Sequence, residues 1–143
     1  MKKILLTAVV ALSTLVASAQ FMVVTTYDGD QEGSADKFTT NMGIGYVVND
    51  AFTVGFAKGA VNSEGDDTYD LWARYNLGDY MEGAYASVQM PTKDASDNMK
   101  IGLGFSFNVW NGLYIEPNYT MPTSKDENDK REGSFNLGLA YRF

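Results

Sequence analysis

The chain has 143 residues with 11 Lys and Arg against 18 Asp and Glu, a net charge of −7, and it contains neither His nor Cys. This balance argues against nucleic acid as a partner, because phosphates would be repelled. The missing side chains exclude a Ser-His triad, a His-assisted lipase, acyltransferase or protease site, a His or Cys zinc site, a disulfide and a cysteine-linked lipid anchor.

Lys2 and Lys3 form a positive start, Ile4 to Val16 an apolar stretch, and Ala17-Ser18-Ala19 an A-x-A cleavage site before Gln20. The apolar stretch is well short of the ~20 residues of a membrane-spanning helix. Residues 1–19 therefore read as a cleavable signal peptide and residues 20–143 as one domain. Without Lys2 and Lys3 that domain is still more acidic. No later apolar run is long enough for a spanning helix, a test that alternating barrel strands escape.

From Gln20 onward the sequence predicts successive strands by its period of two. The first, Gln20 to Tyr27, puts Phe21, Val23, Thr25 and Tyr27 outward, although Met22 and Val24 are also apolar. The second, Lys37 to Val48, alternates Phe38, Met42, Ile44, Tyr46 and Val48 with Lys37, Thr39, Asn41, Gly43 and Gly45. The third, Phe52 to Asn62, sets Phe52, Val54 and Phe56 over Thr53, Gly55 and Ala57; Lys58 falls on the outward face and must snorkel or be re-aimed at Gly59. The fourth, Thr68 to Leu77, turns Asp70, Trp72, Arg74 and Asn76 away from its apolar face.

The fifth strand, Tyr80 to Met90, has two competing registers, of which the one with Ala84, Ala86, Val88 and Met90 outward is preferred over Met81, Tyr85 and Ser87. The sixth, Met99 to Val109, alternates Ile101, Leu103, Phe105, Phe107 and Val109 with Lys100, Gly102, Gly104, Ser106 and Asn108. The seventh, Leu113 to Met121, holds Tyr114, Glu116, Asn118 and Thr120 on its polar face and contains Pro117, which cannot donate to a ladder and implies an edge or a bulge. The last, Gly133 to Phe143, carries Phe135, Leu137, Leu139, Tyr141 and Phe143 on one face and Ser134, Asn136, Gly138, Ala140 and Arg142 on the other.

Tight turns follow the second, fourth and sixth strands (Asn49-Asp50-Ala51, Gly78-Asp79, Trp110-Asn111-Gly112), and longer polar loops follow the others. Short turns on one side and long loops on the other are the asymmetry of an outer-membrane barrel with periplasmic turns. The predicted fold is all-β, an eight-stranded antiparallel up-and-down transmembrane β-barrel.

In pattern, strand count and terminal Phe143, residues 20–143 resemble the small eight-stranded outer-membrane barrels of the OmpX, OmpW and OmpA-transmembrane-domain type. The resemblance implies a Gram-negative outer membrane, periplasmic termini and extracellular loops. It also implies contact with membrane lipid and lipopolysaccharide, and recognition of Phe135, Leu137, Leu139, Tyr141 and Phe143 by the barrel-assembly machinery. It carries no catalytic or ligand motif; members serve structural, surface-adhesion and small-solute roles.

An eight-stranded interior is just wide enough for its own side chains. Trp72 and Tyr114 are expected to plug it, and Asp70, Arg74, Lys100, Glu116 and Arg142, with Lys37, form a charged inward set that should pair, Glu116 with Arg74 or Arg142. The leading expectation is a non-enzymatic structural or surface barrel without a cofactor; the alternative is a narrow porin-like conduit. A soluble lipocalin-like barrel would instead place the apolar face inside. Asp28-Gly29-Asp30-Gln31-Glu32-Gly33 opens like an EF-hand loop, but its twelfth position is Thr39 and not Glu, so it reads as a solvated acidic loop available to a surface partner.

Overall fold

The computed structural model describes residues 20–39, 41–59, 64–93 and 98–143. The expected signal peptide, position 40 of the second strand, the end of the third strand with the first residue of the loop after it, and residues 94–97 in the middle of the third loop lie outside the described residues. The elements are β1 (Phe21–Thr26), a helical turn α1 (Asp36–Thr39), β2 (Gly43–Val47), β3 (Phe52–Lys58), β4 (Tyr69–Asn76), β5 (Ala84–Pro91), β6 (Lys100–Phe105), β7 (Phe107–Trp110), β8 (Leu113–Pro122) and β9 (Ser134–Arg142).

Consecutive strands pair antiparallel except β6 and β7, which both pair with β8, and β1 closes the sheet on β9. With β6 and β7 counted as one interrupted strand, the sheet is a closed eight-stranded up-and-down barrel. Its strands are strongly staggered. The paired residues Val47, Thr53, Arg74, Ser87, Gly102, Thr120 and Ser134 climb around the wall from the turn end of β2 to the loop end of β9.

The alternation sets what lies inside. Met22, Val24, Tyr85 and Ala140 are buried, whereas Phe56, Leu71, Leu103, Phe107 and Phe135 stand on the outer surface. A lipocalin-like arrangement, with the apolar face inward, is thereby excluded. In β1 Met22 and Val24 face the axis, and in β5 Tyr85 does, so both ambiguous registers resolve as preferred.

Three predicted strand limits change. Residues 36–39 form a helical turn, not the start of strand two: the Lys37 and Thr39 amides donate to Gly33 and Ala35 carbonyls, and Phe38 folds back onto Tyr27 with ring centroids 5.4 Å apart. Lys37 is thus a loop residue and not part of the interior set. The ladder of β2 with its neighbours begins at Gly43, one residue after the Met42 carbonyl accepts from the Lys58 amide at 3.0 Å. Strand five begins at Ala84 because residues 77–83 fold on themselves, the Tyr80 and Met81 amides both donating to the Leu77 carbonyl. Strand six is interrupted at Ser106 although the register on either side is the same, Gly104 with Asn118 and Phe107 with Ile115. The break lies opposite Glu116 and Pro117, and Pro117 has no N–H to offer it. The ladder yields in the neighbouring strand, and the proline keeps its central position.

Turn chemistry holds the lower rim. Asn49 Oδ1 accepts from the Ala51 and Phe52 amides at 2.9 and 2.8 Å. Gly112 adopts φ +87, and a Cβ there would lie 2.6 Å from the Arg142 carbonyl oxygen, so only glycine fits this turn. Lys58 reaches Asp67 on the loop side, Nζ to Oδ1 2.9 Å, with its stem along the wall.

Candidate functional site

The centre of the barrel is occupied by a carboxylate. Glu116, on β8, is 1% exposed, and both its oxygens are engaged. Arg74 from β4 donates to Oε2 at 2.6 Å, and the Ser106 hydroxyl donates to Oε1 at 2.9 Å. Arg142 from β9 stands 3.7 Å from Oε1 and donates to the Ser106 oxygen at 3.1 Å. Two guanidinium groups thus serve one carboxylate, and aromatic faces accommodate the second positive charge. The Arg74 guanidinium lies 5.1 Å from the Trp72 ring centre and 4.5 Å from that of Tyr85, and Arg142 lies 4.1 Å from Tyr114. A lone buried carboxylate would carry a penalty of several kcal/mol. Here geometry and hydrogen bonding offset it.

The rings that flank the cluster are seated on glycines of neighbouring strands. A Cβ on Gly45 or Gly55 would lie 2.5 Å from Trp72 ring atoms, and one on Gly104 would lie 2.5 Å from Tyr85. The backbone under each ring is bare because a side chain there would occupy the same space. Met22, Val24 and Ala140 pack against Trp72 and Tyr114 and complete an apolar collar around the charges.

This partition divides the interior. On the loop side lies a polar cavity of about 260 Å³ bounded by Asp70, Gln89, Lys100, Asn118, Thr120 and Asn136. On the turn side remains about 40 Å³ beside Met22, Thr53 and Asn76. Arg74 and Tyr85 line both, which makes them the floor of one and the ceiling of the other. In the larger chamber Asn136 Nδ2 donates to Asn118 Oδ1 at 3.3 Å and Thr120 Oγ1 at 3.1 Å.

Of the residues singled out in the sequence, Arg74, Glu116 and Arg142 come together, with Trp72 and Tyr114 around them. Asp70 and Lys100 do not join them. Asp70 accepts from Gln89 Nε2 at 2.5 Å in the loop-side chamber, and Lys100 is exposed and makes no ion pair among the described residues. The stagger carries these two toward the loop end, a level above Glu116. Phe135, Leu137 and Tyr141 are exposed on the outer face of β9, and the Phe143 amide donates to the Phe21 carbonyl at 3.1 Å, at the seam where the last strand meets the first. In the acidic loop Asp28 accepts from the Asp30 amide and from Gln31 Nε2, both at 3.1 Å. No group of three or more carboxylates suited to a metal occurs among the described residues.

Tyr85 and Ser106 are central to the cluster yet carry no distinguishing mark in the sequence. The available signal for Tyr85 is its glycine partner across the ladder, Gly104, and that pairing requires the register of strand five. The Ser106 hydroxyl matters because the break in strand six lies opposite Glu116. Compared with known proteins, the chain matches no family model, no curated protein and no solved structure.

Proposed function

We propose that this protein is a non-enzymatic outer-membrane β-barrel of a Gram-negative envelope, synthesised with a cleaved leader and serving a structural or surface-interaction role through its loops. The observation that carries this reading is the inverted distribution of polarity. Among the described residues the fully buried charged side chain is a carboxylate held by two guanidinium groups, while Leu103 at 62% and Phe135 at 77% exposure stand outside with Phe56 and Leu71. A contiguous apolar exterior of that kind demands an apolar solvent. Aromatic pairs support the reading: Phe21 with Tyr46, Phe52 with Tyr75 and Tyr141 with Phe143 near the turns, and Tyr27 with Phe38 near the loops. This is the arrangement expected of belts at two interfaces.

Refolding residues 20–143 tests it. The barrel is expected to fold in detergent or lipid vesicles, to shift on a gel when heated, and to precipitate without amphiphile. A folded monomer in plain buffer would overturn the reading. N-terminal sequencing of the exported protein is expected to begin at Gln20.

The two chambers on the same axis favour one second reading, a narrow conduit gated at the Glu116 cluster. Planar-bilayer recordings decide it. The plugged barrel is silent both as wild type and as Glu116→Ala, whereas a conduit gives single-channel currents whose selectivity changes when one charge of the constriction is removed.

A further inference from the structure

Among the described residues, β7 is a strand that lacks a neighbour on one side. β6 lies between β5 and β8, but β7 pairs with β8 alone. β5 begins at Ala84 opposite Phe105, and the Ser106 amide donating to the Gly83 carbonyl at 2.8 Å is the last rung on that side. The preceding connection cannot extend the ladder, because its backbone is spent on its own turns: Tyr80 and Met81 amides bond to the Leu77 carbonyl, and the Ala84 amide bonds to that of Met81. Gly83 itself turns away at φ +77, a left-handed conformation that no regular strand adopts.

The free edge, Phe107–Trp110, is exposed along its whole length. Trp110 and, on the adjoining connection, Tyr80 are among the most exposed large side chains of the described residues, with Met81 beside Tyr80. A row of unpaired N–H and C=O groups is a template for a further strand. It is not tolerated in hydrocarbon, so it lies at a watery rim or is covered. The connecting loops around it carry charge of one sign, with the Arg142 guanidinium turned to Glu116 and Tyr114 in the interior. The connections on this side contain Asp50, Asp79 and Glu82 and no Lys or Arg.

We propose that the β7 edge docks an extended, basic peptide segment of a partner protein, which adds itself as a strand beside Phe107–Trp110. Main-chain hydrogen bonds would supply the alignment. Alternate apolar side chains would meet Phe107 and Val109 before the register shift that precedes Trp110, and Lys or Arg at the intervening positions would meet Asp79 and Glu82. The inference requires only the closed barrel and its interrupted sixth strand, so it stands or falls separately from the membrane reading.

The test uses the folded protein in zwitterionic micelles and a synthetic hexapeptide of alternating Lys and Val. Amide hydrogen exchange is read residue by residue. Peptide binding is expected to slow exchange within Phe107–Trp110 by about tenfold or more while leaving β1 and β9 unchanged. The effect should weaken with added salt and in the Asp79→Asn, Glu82→Gln double variant. It should vanish for a peptide with Pro at its central positions, which cannot donate to the edge. A Glu/Val peptide is the charge control. Unchanged exchange in β7, or an equal response to the Glu/Val or Pro peptide, overturns the proposal. Protection that grows with protein concentration in the absence of peptide also overturns it and assigns the edge to a second copy of this chain. Unchanged amide spectra away from β7 show that the double variant is folded.

Discussion

The inner and outer faces of the same wall obey different rules. Inside, several positions have a specific counterpart: Glu116 has two arginines and a serine, Trp72 has the bare backbone of Gly45 and Gly55, and Asn136 has Asn118 and Thr120. Outside, Leu71, Leu103 and Phe56 share a chemistry but no individual partner of this kind. An enclosed lumen with little room makes identity matter. If the outer face is turned to lipid, as proposed, it needs only apolarity, so substitutions of similar chemistry should be felt inside and not outside.

The largest expected effect is at the centre. Glu116→Ala leaves two partly buried guanidinium groups without their anion and should cost about 3–5 kcal/mol, less in proportion to the water that enters. The midpoint of urea unfolding in lipid vesicles measures it. Arg142→Ala should cost less than Arg74→Ala, because Arg142 is farther from the carboxylate and more exposed. The reverse order would show that the ion pair is not what holds the cluster.

The outer face should resist charge but tolerate shape. Leu103→Arg, near the middle of the interrupted sixth strand, is expected to cost roughly 2–4 kcal/mol in a bilayer if that residue faces lipid, whereas Leu103→Phe should be nearly neutral. Equal stability of both variants would remove the lipid from the account.

A smaller effect tests the fit of ring to backbone. Gly45→Ala would place a methyl carbon 2.5 Å from Trp72 and 2.8 Å from the Met22 side chain, an overpacking expected to cost about 1–3 kcal/mol. In a Trp72→Leu background the same substitution should cost less, and the difference in a double-mutant cycle measures the seating directly. Strict additivity would show that Gly45 serves the backbone and not the ring.

The smallest effects belong to the chamber and the loops. Asn136→Ala removes hydrogen bonds in a wet chamber and should cost about 0.5–1.5 kcal/mol. Lys125→Ala removes a pair with Asp129 in which both side chains are more than half exposed, and it should change stability by less than about 1 kcal/mol. Both are read from the same unfolding curves.

Alternation was enough to mark eight strands and sort their side chains into two faces, because a period of two is a local property of extended backbone, and the short turns and long loops between them led to the barrel. It assigned Arg74, Trp72, Tyr114, Glu116 and Arg142 to the interior by parity. It could not say which of them would meet. That depends on stagger, since residues equally far from their own turns end at different heights once each strand is shifted against the next. Stagger lifted Asp70 and Lys100 out of the Glu116 cluster, and pairing set Tyr85 over Gly104. Where local pattern and available partners disagreed, partners prevailed. Residues 36–39 alternate like a strand but meet the end of β1 at a single backbone bond, from the Asp28 amide to the Lys37 carbonyl, and they coil into a helical turn. Pro117 looked like an edge residue, yet it remains central because the ladder opposite it gives way at Ser106. A hydrogen-bonded sheet is a pairwise structure, and one strand read alone carries only its own half of each pair.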